Sequence, residues 1–543
     1  MSEGLEIVFH GAAGTVTGSC TELSCNGRKL LVDCGLFQGS RSLERLNFDP
    51  FRFRPEAVEG LLLTHAHIDH SGLLPRLAGK GFCGPVWCTT PTRDLLVYML
   101  ADSARLQENE AAQRNRRRDR ADEPSVEPLY TAEDVELALS LVRPTPLSEW
   151  FEPAPGFRAR FWNAGHILGS ASIEVEAGGV SLLFSGDLGP SEKRLQPPSQ
   201  APSGLDYVLC ESTYGDRDRE DMGAEDRRSL LAREVAAAFA RGGNLIVPIF
   251  AVERAQELLV DLALLFDAGT LPVRPVFIDS PLATRITSVF AGGHLPGTGD
   301  GDIFRHRAFH YVDSTAESIR LNHVSGAVIL AGSGMCEGGR VRHHLIHNLG
   351  RADSSVLFVG YQAKGTLGRS IVDGAKRVRI SGHDVAVRAH IARIDSYSAH
   401  ADRQDILAWI AQRKPIAGGL FLNHGEASAF ESLRQALEPE QRVIVPAIGE
   451  RYRLRAGQPA ERLATGDPAI LEVLGEDWQN DYAAFAVNLK RDLQRIRDDA
   501  ARREALRRMR AVLDDYAEHR RQTRGGRSEE KRHHDRGQRR ARS

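Results

Sequence analysis

The chain has 543 residues, 42% hydrophobic and 26% charged, with a formal net charge of −2 at pH 7, which fits an ordinary soluble globular protein of about two to four domains. Seven cysteines without a CxxC pair exclude a disulfide framework, and no apolar run approaches the roughly 18 residues of a membrane span, so neither an oxidising compartment nor a membrane is expected. The near-neutral balance does not exclude a nucleic-acid partner, because a local basic groove suffices.

The N-terminal MSEGLEIVFHGAAG lacks the basic and apolar regions of an export signal, so a cytoplasmic protein is expected. Short apolar runs bounded by turn signals predict buried strands at 5–9, 29–33, 60–64, 85–89, 181–185, 206–210, 244–249, 275–278, 327–331, 355–359 and 419–423. Helical periodicity lies between many of them, at 91–107, 227–241 and 252–266, and the alternation predicts an α/β architecture. Cys20, Cys25, Cys34, Cys83, Cys88, Cys210 and Cys336 read as buried reduced thiols. Residues 108–128 are charged and poor in apolar groups, and read as a solvated helix or exposed insertion. A nucleic-acid contact through Arg114, Arg116, Arg117 and Arg118 is the alternative. The run 292–302 (GGHLPGTGDGD) reads as a mobile connector. Past about residue 470, Leu489, Leu493, Ile496, Ala500, Leu506, Met509, Leu513 and Tyr516 recur at helical spacing, predicting an amphipathic extension for packing or docking. After Arg520 the polar, basic residues predict a disordered tail that attracts phosphates or keeps the chain soluble.

The strongest chemical signal closes the apolar run 60–64: Thr64-His65-Ala66-His67-Ile68-Asp69-His70. Side chains alternate along a strand, so His65 and His67 share a side, and a turn then brings Asp69 and His70 over the same spot. Imidazole and carboxylate suit zinc, and four such groups here are too many for one tetrahedral ion with an open position, which predicts two adjacent metals. Asp33, Asp187 and His424 stand at the ends of other predicted strands, and they and His166, in Asn163-Ala-Gly-His-Ile-Leu-Gly-Ser170, are further candidates.

In this order, Asp33, the HAHIDH run, His166 and Asp187 resemble the metallo-β-lactamase hydrolases. The resemblance implies an αββα sandwich holding two zinc ions at one edge. It gives His65, His67 and His166 to one ion, Asp69, His70 and His424 to the other, and Asp187 to both. Asp33 would orient ligands from behind. Three further segments, Glu211-Ser-Thr-Tyr-Gly-Asp216, Ser396-Tyr-Ser-Ala-His400-Ala-Asp402 and Asn423-His424-Gly425-Glu426, resemble the motifs of the β-CASP branch, known for RNA and DNA processing. That branch inserts a second α/β domain before the SAHAD segment. The implied division is 1–215 and 396–465 for the sandwich, 216–395 for the insertion, 466–520 for a helical extension and 521–543 for the basic tail.

The resemblance implies phosphodiester hydrolysis with two cations offsetting the charge of the transition state. Asp69, His400 and Glu211 are the implied catalytic residues. His400 would be the general acid for the leaving ribose oxygen, with Glu211 orienting it and favouring its protonated form. His424 at the third motif resembles the RNA-acting members, so single-stranded RNA is the expected substrate. Ser333 and Gly334, with Gly338 and Gly339, are expected to present backbone N–H groups to phosphate at a helix start. Arg340, Lys364 and Arg369 are expected to pair with phosphates or, equally, to form surface salt bridges. Endonuclease action is the favoured mode, with exonuclease activity open, and a homodimer is compatible with the sequence. The alternatives are a DNA nuclease, a small-molecule metallohydrolase, which would not need Glu211, His400 or an insertion, and a non-catalytic scaffold, which would not need an intact ligand set.

Overall fold

The computed structural model describes residues 4–116, 125–191, 193–218, 223–292, 301–363 and 365–468, and positions within 489–512. Among them, an eight-stranded sheet runs Glu461–Ala464, Arg451–Leu454, Leu5–Phe9, Thr21–Cys25, Arg28–Val32, Gly60–Leu62, Val86–Cys88, Val142–Pro144. A seven-stranded sheet runs Val443–Ile444, Gly419–Asn423, Tyr207–Glu211, Val180–Phe184, Ala171–Ala177, Phe157–Asn163, Phe151–Ala154. Their inner faces meet in one core, where Ile7, Leu23, Leu30 and Leu62 oppose Phe157, Phe161, Ile173, Leu182 and Phe421. Each such side chain, fully buried, contributes roughly 1.5–3 kcal/mol relative to exposure. Helix Arg403–Ala411 with Ile406, Trp409 and Ile410, and helix Ala427–Leu437 with Phe430 and Leu433, cover the outer face of the second sheet. Helices Leu74–Gly79 and Thr90–Arg116 cover the outer face of the first, giving αββα layers.

A third sheet of six parallel strands is built from Phe309–Tyr311, Val276–Asp279, Val328–Ala331, Leu245–Pro248, Ser355–Val359 and His390–Ile394. Its four inner strands are nearly continuous apolar runs because both faces are covered, whereas the edge strands Phe309–Tyr311 and His390–Ile394 are partly exposed. Helix Arg254–Asp267 lies on one side, and helices Val341–Asn348 and Leu367–Val372 on the other. The chain leaves the second sheet after Glu211 and returns at Gly419, in parallel register with the strand it left. The third sheet is therefore an insertion between two neighbouring strands.

Several strand ends differ from expectation by one or two residues. The strand expected over 60–64 stops at Leu62, and that over 29–33 stops at Val32 because Asp33 takes the left-handed φ of 60°. Helix Thr90–Arg116 runs past 107, its charged continuation lying at the surface. Strands Phe151–Ala154, Phe157–Asn163 and Ala171–Ala177 escaped the apolar-run reading. In Phe157–Asn163 the inward Phe157, Ala159 and Phe161 alternate with the outward Arg158, Arg160 and Trp162. Gly301–Arg305 forms a 3-10 turn, and residues 293–300 of the expected connector lie outside the described residues, as do Arg117 and Arg118. Six cysteines are buried, but Cys83 is exposed, which corrects the expectation for that thiol. Residues 499–512 are helical, with Leu506 and Val512 exposed; Leu513, Tyr516 and the tail 521–543 lie outside the described residues. Among the described residues no helix is long and apolar enough to cross a membrane.

Candidate metal centre

The polar residues gather where strands of both sheets end at one edge of the sandwich. Asp33 follows Arg28–Val32, His65 follows Gly60–Leu62, His166 follows Phe157–Asn163, Asp187 follows Val180–Phe184, and His424 follows Gly419–Asn423. His67 caps the short helix Ile68–Ser71, which presents Asp69 and His70. The loop after Asp33 lies directly beneath this helix: a Cβ on Gly35 would fall 1.6 Å from the Asp69 carbonyl oxygen, so only glycine fits.

Two donor groups result. In the first, His67 Nδ1 lies 3.1 Å from both His65 Nε2 and His166 Nε2. Asp187 Oδ2 stands 3.6 Å from each of those two Nε2 atoms. In the second, His70 Nε2 is 3.2 Å from His424 Nε2 and 3.3 Å from Asp187 Oδ1, and Asp69 Oδ2 is 3.5 Å from His424 Nε2. The donor atoms of each group lie within 4.8 Å of one another. Tetrahedral zinc with bonds of about 2.0–2.1 Å separates its ligands by about 3.3–3.4 Å, so both groups have the spacing of a zinc shell. Both Asp187 oxygens are buried with no hydrogen-bond partner among the described residues. A buried carboxylate without donors is costly, and a cation shared between the groups satisfies it.

The hydrogen bonds behind these donors set which nitrogen faces inward. His70 Nδ1 meets Asp33 Oδ2 at 2.7 Å, and Asp33 is itself fixed by the Thr64 N–H (2.8 Å) and the Ser19 hydroxyl (3.0 Å). His166 Nδ1 lies 3.0 Å from the Ala399 carbonyl, His65 Nδ1 3.0 Å from the Thr64 hydroxyl, and His424 Nδ1 3.1 Å from the Thr213 hydroxyl. A carbonyl only accepts, so His166 donates from Nδ1 and keeps the Nε2 lone pair for the site. Burial holds His65 and His166 well below the ordinary imidazole range and lowers His67 to about 4, so these rings are neutral, as ligands must be. His70 and His424 differ: against the opposing effect of burial, Asp187 with Asp33 and Asp69 raise them above the ordinary imidazole range, so a metal would have to displace their protons. Burial likewise works against charge on Asp187, yet the cationic His424 and His70 outweigh it and hold that carboxyl well below the usual range. The same contest, won by the His424 hydrogen bond and the charge of His70, lowers Asp69. Ser19, Thr64, Thr213 and the Ala399 carbonyl were not assigned from sequence; no spacing rule marks a hydroxyl or a carbonyl that acts from behind a ligand.

Asp187, Glu211 and His400 form a third convergent group. His400 Nδ1 is 3.5 Å from Glu211 Oε1 and 3.7 Å from Asp187 Oδ2. Glu211 accepts from the backbone N–H of Leu188 (2.6 Å) and of Thr213 (3.2 Å), so it also anchors the loop after Asp187. Asp402 caps helix Arg403–Ala411 through a capping box, and Ala401 N–H donates to the Leu188 carbonyl, fixing the turn that carries His400.

The expected phosphate contacts are placed differently. The helix after the glycine-rich segment begins at Val341, and the Ser333 N–H donates to the Gly338 carbonyl, so Ser333 and Gly334 do not stand at a helix start. A Cβ on Gly334 would lie 2.2 Å from the Phe250 ring, which accounts for that glycine by close packing. Arg340 is engaged by Asp279 at 2.6 Å and by the carbonyls of Val312 and Asp313, the salt-bridge alternative of the expectation. Arg369 is partly exposed and pairs with Asp373 one helical turn away. Lys364 lies outside the described residues.

A buried pair ties the insertion to the site. Lys193 Nζ donates to the His166 carbonyl and lies 3.5 Å from Glu253 Oε1. Glu253 Oε2 accepts from the Leu168 N–H and the Gln196 amide. Burial lifts the Glu253 carboxyl from 4.5 to about 7 against the lowering effect of Lys193. Because the folded state then holds this proton more tightly than the unfolded chain, the group's contribution to stability falls as pH rises from about 4.5 through 7. Lys193→Met removes the cation that offsets the carboxylate. It is expected to cost about 3 kcal/mol at pH 8 and distinctly less at pH 6, where Glu253 takes up a proton. Calorimetry at both pH values checks this; equal losses at both would refute it.

A metallo-β-lactamase superfamily model matches residues 13–235, a Beta-Casp domain model residues 255–371, and a model of the Zn-dependent metallo-hydrolase RNA specificity domain residues 384–446. The chain is 37% identical over 460 residues to Ribonuclease TTHA0252 of Thermus thermophilus, covering 82% of this chain and 99% of that protein. It is 30% identical over 443 residues to Transcription termination factor FttA of Methanocaldococcus jannaschii, covering 78% of this chain and 67% of that protein. A solved structure of a protein of unknown function from Enterococcus faecalis V583 superposes with a TM-score of 0.50 at 14% identity, over 83% of this chain and 100% of that one, a likeness of fold alone.

Proposed function

The chain belongs to the metallo-β-lactamase superfamily, with β-CASP and RNA-specificity domains, and from that premise we propose that it is a zinc-dependent ribonuclease cutting single-stranded RNA, chiefly as an endonuclease with exonuclease activity accompanying it. The observation that carries this reading is the meeting of three donor groups on Asp187, two with the spacing of zinc shells and the third containing His400.

His65, His67, His166 and Asp187 would hold one zinc, and Asp69, His70, His424 and Asp187 the other. When bound, zinc supplies Lewis-acid charge that activates water and offsets the charge of the attacked phosphate. Asp33 keeps His70 turned toward the site, as the Ala399 carbonyl does for His166. His400 would hold a proton for the leaving ribose oxygen, with Glu211 beside it. Arg369 and Lys364 would meet backbone phosphates at the insertion, taken as 216–395. The basic tail at 521–543 would add attraction that does not depend on sequence.

The test is cleavage of end-labelled single-stranded RNA and matching DNA by metal-quantified protein, with and without chelator. RNA cleavage lost on chelation and restored by zinc is the expected result, with product ladders separating internal from terminal cuts. Two zinc ions per chain with both RNA and DNA left intact would sink the nuclease reading while sparing the metal site.

A further inference from the structure

Beside His400, two tyrosines and an arginine form a cluster that the chemistry above does not use. Tyr214 follows strand Tyr207–Glu211 of the sandwich, and Tyr361 follows strand Ser355–Val359 of the insertion. Their rings meet at 6.3 Å between centroids, inclined at 74°, and Tyr214 stands edge-on to His400 at 5.7 Å. The Arg217 guanidinium lies 4.7 Å over the Tyr361 ring and 5.6 Å from the centre of Tyr214, with its side chain 44% exposed. Asp216 pairs with Arg217 at 3.4 Å, and the Arg403 N–H donates to the Arg217 carbonyl, tying this turn to the helix that follows His400. Both tyrosines are half-buried.

We propose that Tyr361, Tyr214 and Arg217 form a stacking platform for the nucleobase on the leaving side of the cut. The proposal rests on the ribonuclease reading, since it places the leaving ribose oxygen at His400; the base on that ribose then lies beside Tyr214, the ring edge-on to His400, which Tyr361 and Arg217 adjoin. Single-stranded nucleic acid is gripped by bases stacked on aromatic faces and guanidinium planes, and every base offers a π face. The platform therefore orders the nucleotide without choosing its identity. Because one ring comes from the sandwich and the other from the insertion, the platform is complete only with both domains in place.

The test uses the zinc-loaded full chain and a uridine oligoribonucleotide carrying one 2-aminopurine, moved position by position. Stopped-flow fluorescence before turnover reads stacking. Steady-state cleavage of the same oligomers, and of oligomers with an abasic residue at each position, reads KM and kcat. Quenching is expected at the position on the leaving side of the cut, with loss of that quench and a roughly tenfold rise in KM in Tyr361→Ala. Tyr361→Phe, which keeps the ring, is expected to retain both. An abasic residue at that position should raise KM of the unsubstituted protein similarly and add nothing to Tyr361→Ala. Quenching that persists in Tyr361→Ala, or an abasic residue without effect on KM, overturns the platform, and the second readout needs no variant to fold. If no oligomer is cut, the ribonuclease reading fails and the leaving-side assignment falls with it; cleavage with quenching that persists in Tyr361→Ala overturns the platform alone.

Discussion

Asp187→Asn is expected to leave the protein unable to hold two zinc ions and to reduce RNA cleavage by about three orders of magnitude or more. The substitution keeps the shape of the side chain but replaces the carboxylate that both ligand groups share. Asp187 is 1% exposed, and its oxygens lie between 3.3 and 3.6 Å from His70 Nε2, His65 Nε2 and His166 Nε2. An amide there removes the charge that offsets two divalent ions and turns one oxygen into an N–H donor, which repels a cation. Metal content by mass spectrometry and cleavage of labelled RNA measure the effect together. A variant that keeps two zinc ions and cuts RNA within tenfold of the parent would show that Asp187 does not bridge.

His400→Ala is expected to lower cleavage by roughly 10²–10⁴-fold while zinc content stays at the parental level. His400 is partly accessible, with 16% of its side chain exposed, whereas His65 and His166 are fully buried. A group that gives a proton to substrate has to meet substrate, but exposure alone does not set His400 apart, since Asp69 of the second zinc group is 19% exposed. His400 Nδ1 stands 3.5 Å from Glu211 and 3.7 Å from Asp187, outside both four-residue groups. Zinc content separates the two roles this position can play. Loss of an ion in His400→Ala would make it a ligand of the third group and remove the general-acid assignment. Full zinc content with cleavage near the parental rate would leave the leaving oxygen without a donor on this chain.

Much of the site is written locally. HAHIDH puts four donors within one short segment, but the strand ends at Leu62, so the loop at 63–67 and the helical turn Ile68–Ser71, rather than strand alternation, set their directions. The strands that carry the other donors are apolar runs that end at the donor, because a strand buried on both faces must be apolar until it reaches the edge. Phe157–Asn163 was harder to see. One face of it is solvated, so Arg158, Arg160 and Trp162 interrupt the apolar run that marks its buried neighbours. The glycine-rich segment around Ser333 resembles an anion-binding turn in composition, yet its N–H groups are partly consumed within the loop and its glycine makes room for Phe250.

The sequence by itself determined the α/β class and the donor types, since these depend on local periodicity and on residue chemistry, while the insertion between Asp187 and His400 was implied by the family resemblance. Tertiary structure alone decided the rest. Asp33 reaches His70 across 37 positions, Ala399 reaches His166 across 233, and His70 meets His424 across 354. Such pairings depend on how two sheets stack and where an insertion returns, and no local spacing encodes them. The same holds for Arg340: a guanidinium in a glycine-rich turn has the same local sequence whether it faces solvent or a buried Asp279, and only the packing of strand Val276–Asp279 behind it assigns its partner.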